Sequence, residues 1–322
     1  MHTLKNFIAA ELPAINNILQ QELAVLNPLV REVGEHVLMS GGKRLRPILT
    51  ILTARCLGKN GKDVYPLACS LELLHSATLI HDDILDNSDM RRGRKSAHLM
   101  FGIKRSVLAG DALLALANMI VARYNIPAMN YCVAEAILRT AAGEVEEIGN
   151  SRNPDMEQET YLEIVRGKTA FLIQAACSCG AMFAGADQDM LSRASSFGMN
   201  LGTAFQLVDD ALDYAADSSH LGKPCGSDIR EGKITMPLIL HLQQLTKEQR
   251  QVLLDKIAGD TLTEDETEDV LISIQQAGLD QKVRLEADVY LQNAADSLST
   301  FPDSREKQLM HEMLNLVKNR NH

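Results

Sequence analysis

Apolar positions recur along nearly the whole chain at three- and four-residue intervals, and the sustained alternation of a half-buried strand is missing. The pattern predicts helices. It is interrupted at 40–42, 58–61, 87–96, 126–127, 151–154, 185–187, 217–228 and 301–303, where Gly, Pro, Asn, Asp and Ser gather. The intervals between these breaks leave room for about ten helices or more. No low-complexity linker and no shift of composition divides the chain, so a single all-α domain over residues 1–322 is expected. Beyond about residue 245 the sequence becomes more polar, yet 263–277 and 282–298 keep helical spacing. The stretch 245–322 therefore reads as peripheral helices.

Composition narrows this picture. Hydrophobic residues make up 46% of the 322, aromatics only 4%, and Trp is absent. The core must be built from Leu, Ile, Ala, Val and Met, which favours packed helices over a β-sandwich. A net charge of −10 argues against a broad nucleic-acid surface. The six cysteines, at 56, 69, 132, 177, 179 and 225, form no C-x-x-C pair and read as buried thiols in a reducing compartment. The N-terminus lacks the apolar stretch of a secretory signal, and no run of about 18 uninterrupted apolar residues appears. A cytoplasmic protein with no transmembrane segment is the expectation.

One acidic spacing occurs twice: Asp82-Asp83-Ile84-Leu85-Asp86 and Asp209-Asp210-Ala211-Leu212-Asp213. On a helix, residues four apart share a face, so Asp82 lies beside Asp86 and Asp209 beside Asp213. Like charges at that spacing repel, and each pair ends a strongly apolar run. A single cluster of this kind is often no more than a solvated face. Here, however, each is followed by a basic, glycine-containing stretch. Arg91-Arg92-Gly93-Arg94-Lys95 follows the first, and Lys223, Arg230 and Lys233 follow the second. Mg²⁺ takes a few carboxylates and completes its shell with waters and phosphate oxygens, while Arg and Lys neutralise the remaining phosphate charge. Acid face followed by basic loop suits a metal-bridged diphosphate.

Weaker elements accompany these. Gly41-Gly42-Lys43-Arg44-Leu45-Arg46-Pro47 lacks Walker A spacing, and alone it reads equally as a loop whose charges meet solvent. His75 lies two helical turns before Asp82 on the same face, either packed in the core or donating to a phosphate oxygen. His81 is read as packed. Lys168, Thr169 and Gln206 are residue types that bind phosphate, and each is equally compatible with a structural role.

Taken together and in order, G-G-K-R-L-R-P at 41–47, E-L-L-H-S-A-T-L-I-H-D-D-I-L-D-N-S-D-M-R-R-G at 72–93, G-K-T at 167–169, F-Q-L-V-D-D-A-L-D at 205–213 and G-K-P-C-G-S-D-I-R-E-G-K at 222–233 resemble the signature set of the trans-isoprenyl diphosphate synthases, the polyprenyl synthetase family. The tail at 301–305 also fits. Ser227 departs from the pattern, since many relatives carry a second Asp there; Asp228 is kept. The resemblance implies an isoprenoid synthase-type helical bundle around a deep central cavity, with catalytic motifs over 41–237.

It further implies three Mg²⁺ ions held by Asp82, Asp86 and Asp209, with Asp83, Asp210 and Asp213 in support. Arg91, Lys168, Lys223 and Lys233 would clamp an allylic diphosphate, assisted by Thr169 and Gln206. Isopentenyl diphosphate would occupy a metal-free pocket of Lys43, Arg46, His75 and Arg92. The implied reaction is head-to-tail condensation of the two diphosphates to an all-trans polyprenyl diphosphate, carried out by a homodimer. Rival readings are a terpene cyclase, which needs no isopentenyl pocket, a short-chain farnesyl or geranylgeranyl synthase, and a non-catalytic subunit of a heteromeric synthase. Thr78 and Ala77, four and five positions before the first motif, are small, with Leu74 and Leu71 below them. Of the neighbouring segment 112–121, Met119 or Ile120 could close the channel. In this family those features imply a heptaprenyl-to-nonaprenyl product.

Overall fold

In the computed structural model, residues 3–215 and 225–320 are described, and nearly all of their regular structure is helical. The chain divides into two compact units. The first comprises residues 1–137, 172–195 and 300–312, and the second residues 138–171, 196–299 and 313–322.

The first unit opens with α1 (Leu4–Leu23), α2 (Pro28–Leu38), α3 (Leu45–Cys56) and α4 (Val64–Leu85). Proline at the first position of α2 leaves no N–H unsatisfied there, and the Asn27 side chain accepts from Leu29 N at 2.9 Å. α4 is the centre of this unit. It buries residues on every side, Leu67, Leu71, Leu74 and Ala77 among them, because α1, α3 and α6 (Ile103–Ala122) all pack on it. Surrounded on all faces, it reads as a continuous apolar run rather than a stripe.

Between α4 and α5 (Ala97–Phe101) the basic stretch folds as an antiparallel hairpin, β1 (Met90–Arg91) with β2 (Arg94–Lys95). Both turn residues, Arg92 and Gly93, have positive φ, as a two-residue hairpin turn of type I′ demands. The sequence predicts no strand here, because two residues are too few to show alternation.

α6 is long and apolar enough, by length and composition alone, to cross a membrane. Packing on α4 and α2 accounts for one face of it. The unit is completed by the first part of α7 (Pro127–Gly149), most of α9 (Phe171–Ala184), the start of α10 (Gln188–Asp213) and the first half of α16 (Arg305–Lys318). Among its cysteines, Cys56, Cys69, Cys177 and Cys179 are buried thiols, as expected from the sequence, while Cys132 is half-buried.

The second unit holds α8 (Gln158–Val165), a π-helical turn (Arg166–Ala170), α11 (Ser227–Arg230), α12 (Met236–Gln244), α13 (Lys247–Ala258), α14 (Glu264–Gln276) and α15 (Leu279–Ser297). It also includes the remaining parts of α7, α10 and α16. Reciprocal capping boxes, Thr246 with Gln249 and Thr263 with Glu266, start α13 and α14. The helical spacing seen at 263–277 and 282–298 corresponds to α14 and α15. α15 is more than peripheral, for it buries Leu279, Val283, Ala287, Leu291 and Ala294 and packs on α12 and α14.

Candidate functional site

The first aspartate motif stands at the C-terminal end of α4. Asp82 and Asp83 are in the last turn and Asp86 is the C-cap, still in right-handed helical conformation, so Asp82 and Asp86 keep their shared face. Asp82 is half-buried, Asp86 exposed and Asp83 buried. Asp83 turns to the hairpin, where Arg91 Nε donates to its Oδ1 at 2.7 Å and Arg91 Nη2 to the same oxygen at 2.5 Å. Arg91, expected to clamp diphosphate, and Asp83, expected to support metal, are thus paired with each other.

The same unit gathers a basic pocket. Arg46, Arg92, Arg91 and Arg44 all act electrostatically on His75. Burial first, and then these cations, hold the His75 imidazole well below its ordinary pKa, so it is neutral at pH 7. Burial likewise lowers Arg46 to about 10, with Glu72 opposing and Arg92 adding to the shift, and it remains charged. The Arg46 Nε is buried with no hydrogen-bond partner among the described residues. A buried guanidinium donor without a protein acceptor has a hydrogen bond to give to a ligand. Arg44 serves the fold instead, since its Nη1 donates to Glu72 at 2.8 Å and both side chains are buried. Arg92 Nη1 donates to the Gly41 carbonyl. Gly42, at φ +136°, leaves room for that guanidinium, since a Cβ there would come within 2.7 Å of Arg92 Nη1. Lys43 is exposed on the same loop. Three of the four expected isopentenyl-pocket residues, Arg46, His75 and Arg92, therefore lie within one electrostatic neighbourhood.

The second motif ends α10, in the second unit. Asp210 is buried, accepting from Tyr161 Oη at 2.5 Å and from Gln206 Nε2 at 2.7 Å. Gln206 Oε1 in turn accepts from Thr169 Oγ1 at 2.7 Å. Burial pushes the Asp210 carboxyl up to about 7, while the Tyr161 and Gln206 hydrogen bonds favour its ionised form. Asp213 accepts from the Ser227 amide at 3.2 Å, the Ser227 hydroxyl at 2.8 Å and the Asp228 amide at 2.9 Å, so its carboxylate caps α11. The serine that departs from the familiar pattern thus donates to the carboxylate where a second Asp would repel it. Asp209 is more open. Its Oδ1 lies 2.9 Å from Arg320 Nη2, and Arg320 also stacks 4.8 Å above the Phe205 ring.

Lys168 projects from the π-helical turn, a local insertion that re-aims side chains and recurs at functional sites. Backbone contact fixes this turn, since a Cβ on Gly143 of α7 would meet Gly167 Cα at 2.8 Å. Lys168 Nζ is bonded to Glu147 and lies 3.8 Å from Glu144. Lys233 is near enough to act on it electrostatically and is itself 2.7 Å from Glu231 Oε2. Lys223 lies outside the described residues.

No three His, Cys, Asp or Glu side chains converge as a ready-made metal cage among the described residues. Mg²⁺ does not need one, because it keeps waters and substrate phosphates around one or two carboxylates. Asp82, Asp86 and Asp209, hard oxygen donors that are at least partly open, fit that ion. Asp83, Asp210 and Asp213 accept hydrogen bonds from protein donors. Two residues of the site, Tyr161 and Arg320, carry no signal in the sequence. Tyr161 occupies an apolar position of a short amphipathic helix, and no spacing ties Arg320 to a motif.

The profile of the polyprenyl synthetase family matches residues 27–274. Octaprenyl diphosphate synthase of Haemophilus influenzae is 35% identical over 313 residues, 96% of this chain and 95% of that protein. The crystal structure of a decaprenyl diphosphate synthase from Rhodobacter capsulatus superposes with a TM-score of 0.93 at 33% identity, covering 99% of this chain and 98% of the other. That of a polyprenyl synthase from Caulobacter crescentus, complexed with calcium and isoprenyl diphosphate, gives 0.92 at 34% identity, covering 99% and 97%. An all-α chain with both aspartate motifs in place and a family profile over most of its length belongs to the polyprenyl synthetase family of prenyltransferases.

Proposed function

We propose that this chain is a Mg²⁺-dependent trans-prenyltransferase that condenses an allylic diphosphate with isopentenyl diphosphate, head to tail, to a heptaprenyl-to-nonaprenyl diphosphate. The observation that carries the reading is the basic pocket beside α4. Its arginines outnumber their carboxylate partners, and the buried Arg46 Nε points at no protein acceptor. A terpene cyclase has no use for such a second anion pocket.

Asp82 and Asp86 are assigned to hold metal for the allylic diphosphate, and Asp209 does the same in the second unit. Bound Mg²⁺ supplies positive charge that stabilises the departing diphosphate. Lys168 and Lys233 add their charge to the leaving group, Lys168 exchanging Glu147 for phosphate oxygens. Arg46, Arg92 and neutral His75 orient isopentenyl diphosphate so that its double bond attacks the allylic cation. No side chain stands out as the base for the final proton, which passes to released diphosphate. Apolar walls keep water from quenching the cation.

Chain length rests on the small, fully buried Ala77 and on Leu74 and Leu71 behind it, all on α4. Of the two residues expected to close the channel, Met119 is 61% exposed and Ile120 is buried, which leaves Ile120. The relatives named above, octaprenyl and decaprenyl synthases, support a product of this order. A homodimer is part of the same reading. Along α7, Tyr131, Leu138 and Val145 are exposed at seven-residue intervals, an apolar stripe suited to a second copy. Light scattering that returns a monomer at working concentration contradicts this.

The test is kinetic. Arg46→Ala raises the KM for isopentenyl diphosphate by about tenfold or more while barely moving that of the allylic substrate. Equal losses for both substrates contradict the two-pocket assignment.

A further inference from the structure

The β1–β2 hairpin that carries Arg91 and Arg92 has only two residues in each strand, and so short a ladder is marginal without outside support. Its pairing shows where support is needed. Arg91 and Arg94 are partners across the turn, and the Ser96 amide donates to the Asp89 carbonyl at 2.9 Å. These are the hydrogen-bonded positions of an antiparallel ladder, so the pair between them, Met90 with Lys95, turns its N–H and C=O groups outward. The Lys95 carbonyl therefore faces away from its partner strand, as an open edge.

α2 meets that edge. His36, in its last turn, places Nε2 2.8 Å from the Lys95 carbonyl oxygen. A carbonyl can only accept, so Nε2 is the nitrogen that carries the proton. The imidazole is itself held edge-on against Phe101 of α5, with ring centroids 5.4 Å apart, and the Arg105 guanidinium lies 4.9 Å from the centroid of the same Phe101 ring. The Ser40 hydroxyl donates to the His36 carbonyl, which ties His36 to the loop whose Gly41 carbonyl accepts from Arg92 Nη1. The space left between α2 and the hairpin, lined by His36, Val37, Arg91, Arg92 and Ser96 among others, is about 10 Å³, no more than one water would fill. The hairpin thus rests closely on α2 and its loop at two points, the strand end through His36 and the turn through Arg92.

The two arginines depend on this support differently. Arg91 has an anchor of its own in Asp83 of α4. Arg92 occupies the turn itself, at φ +51°, and its guanidinium reaches back to Gly41. A shift of the hairpin away from α2 displaces Arg92 first.

We propose that His36 is a positioning residue for the isopentenyl diphosphate pocket, holding the Lys95 carbonyl so that Arg92 is kept in place with Arg46 and His75. His36 touches neither substrate and acts through Arg92. The proposal rests on the assignment of Arg92 to isopentenyl diphosphate.

The test is a double-mutant cycle on the full chain, with the KM of each diphosphate measured separately. His36→Ala should raise the KM for isopentenyl diphosphate about tenfold, while kcat and the allylic KM stay within about twofold of wild type. His36→Phe keeps a ring against Phe101 but has no donor, so it should behave like His36→Ala. His36→Gln restores an N–H at similar reach and should recover most of the affinity. In an Arg92→Ala background, which itself raises the same KM, His36→Ala should add less than about twofold. A wild-type KM in His36→Ala and His36→Phe overturns the proposal, as does His36→Gln no better than His36→Ala. A full further tenfold loss in the Arg92→Ala background also overturns it, because His36 would then act by another route. If Arg92→Ala alone leaves the KM for isopentenyl diphosphate unchanged, the two-pocket assignment fails and the positioning role falls with it. Damage from Arg92→Ala beside a silent His36→Ala refutes the positioning role only.

Discussion

The two aspartate motifs have the same spacing but different surroundings, and the difference lies in what holds each carboxylate. At the end of α4 the middle residue, Asp83, is braced by a charged partner, Arg91. At the end of α10 its counterpart Asp210 is braced by neutral donors, Tyr161 and Gln206. The last residues diverge further, since Asp86 is exposed while Asp213 spends its oxygens on capping α11. Repetition of a motif thus fixes which residue types are present, and local packing decides which groups hold each carboxylate. The first residue of each motif, Asp82 and Asp209, is where the two regions are expected to act alike.

The largest effects should fall there. Asp82→Ala and Asp209→Ala each lower turnover by about 100-fold or more with helicity unchanged, because each removes an oxygen ligand for charge that stabilises the leaving group. Near-wild-type Mg²⁺-dependent turnover in either variant breaks the comparison at its common point.

The middle residues should separate the two regions. Arg91→Gln leaves a buried carboxylate without its cation and should cost about 2 kcal/mol in denaturant unfolding, less than a fully buried pair because Arg91 is partly exposed. Tyr161→Phe removes one neutral donor from Asp210 and should cost about 1 kcal/mol. It should also cost about tenfold in activity, the scale of an outer-shell partner of a metal site. Equal stability losses would show that the charged and neutral braces are equivalent.

The last residues offer a smaller contrast. Asp213→Ala removes a helix cap and should lower stability by about 1–2 kcal/mol, whereas Asp86→Ala leaves the melting temperature unchanged and acts on turnover alone. If both variants melt like the wild type, Asp213 does not hold α11 as a cap.

The smallest change sharpens the first region only. Ala77→Phe should shift products to shorter chains and leave the rate of isopentenyl diphosphate consumption nearly intact, as read by product chromatography. An unchanged product distribution would place length control elsewhere.

Much of this is legible in the sequence because it depends on short-range spacing. The all-α class, the helices near 263–277 and 282–298, both aspartate faces and the basic loops follow from periodicity and composition. What escapes depends on contacts distant in the chain. Tyr161 reaches Asp210 from another helix, and Arg44 is separated from Glu72 by all of α3. The hairpin at 90–95 is too short to alternate, and the π-helical turn that carries Lys168 adds a residue per turn without changing the apolar pattern. The polar outer faces of the C-terminal helices hide the apolar face by which α15 joins the core of its unit.

The central claim is that this chain elongates prenyl diphosphates with Mg²⁺ held by its aspartate motifs. The most direct measurement incubates the purified chain alone with farnesyl diphosphate and labelled isopentenyl diphosphate, with Mg²⁺ or with EDTA, and chromatographs the extracted products. Label should pass into heptaprenyl-to-nonaprenyl diphosphate with Mg²⁺ and into nothing with EDTA. Absence of isopentenyl diphosphate consumption in Mg²⁺, or equal consumption in EDTA, would contradict the account.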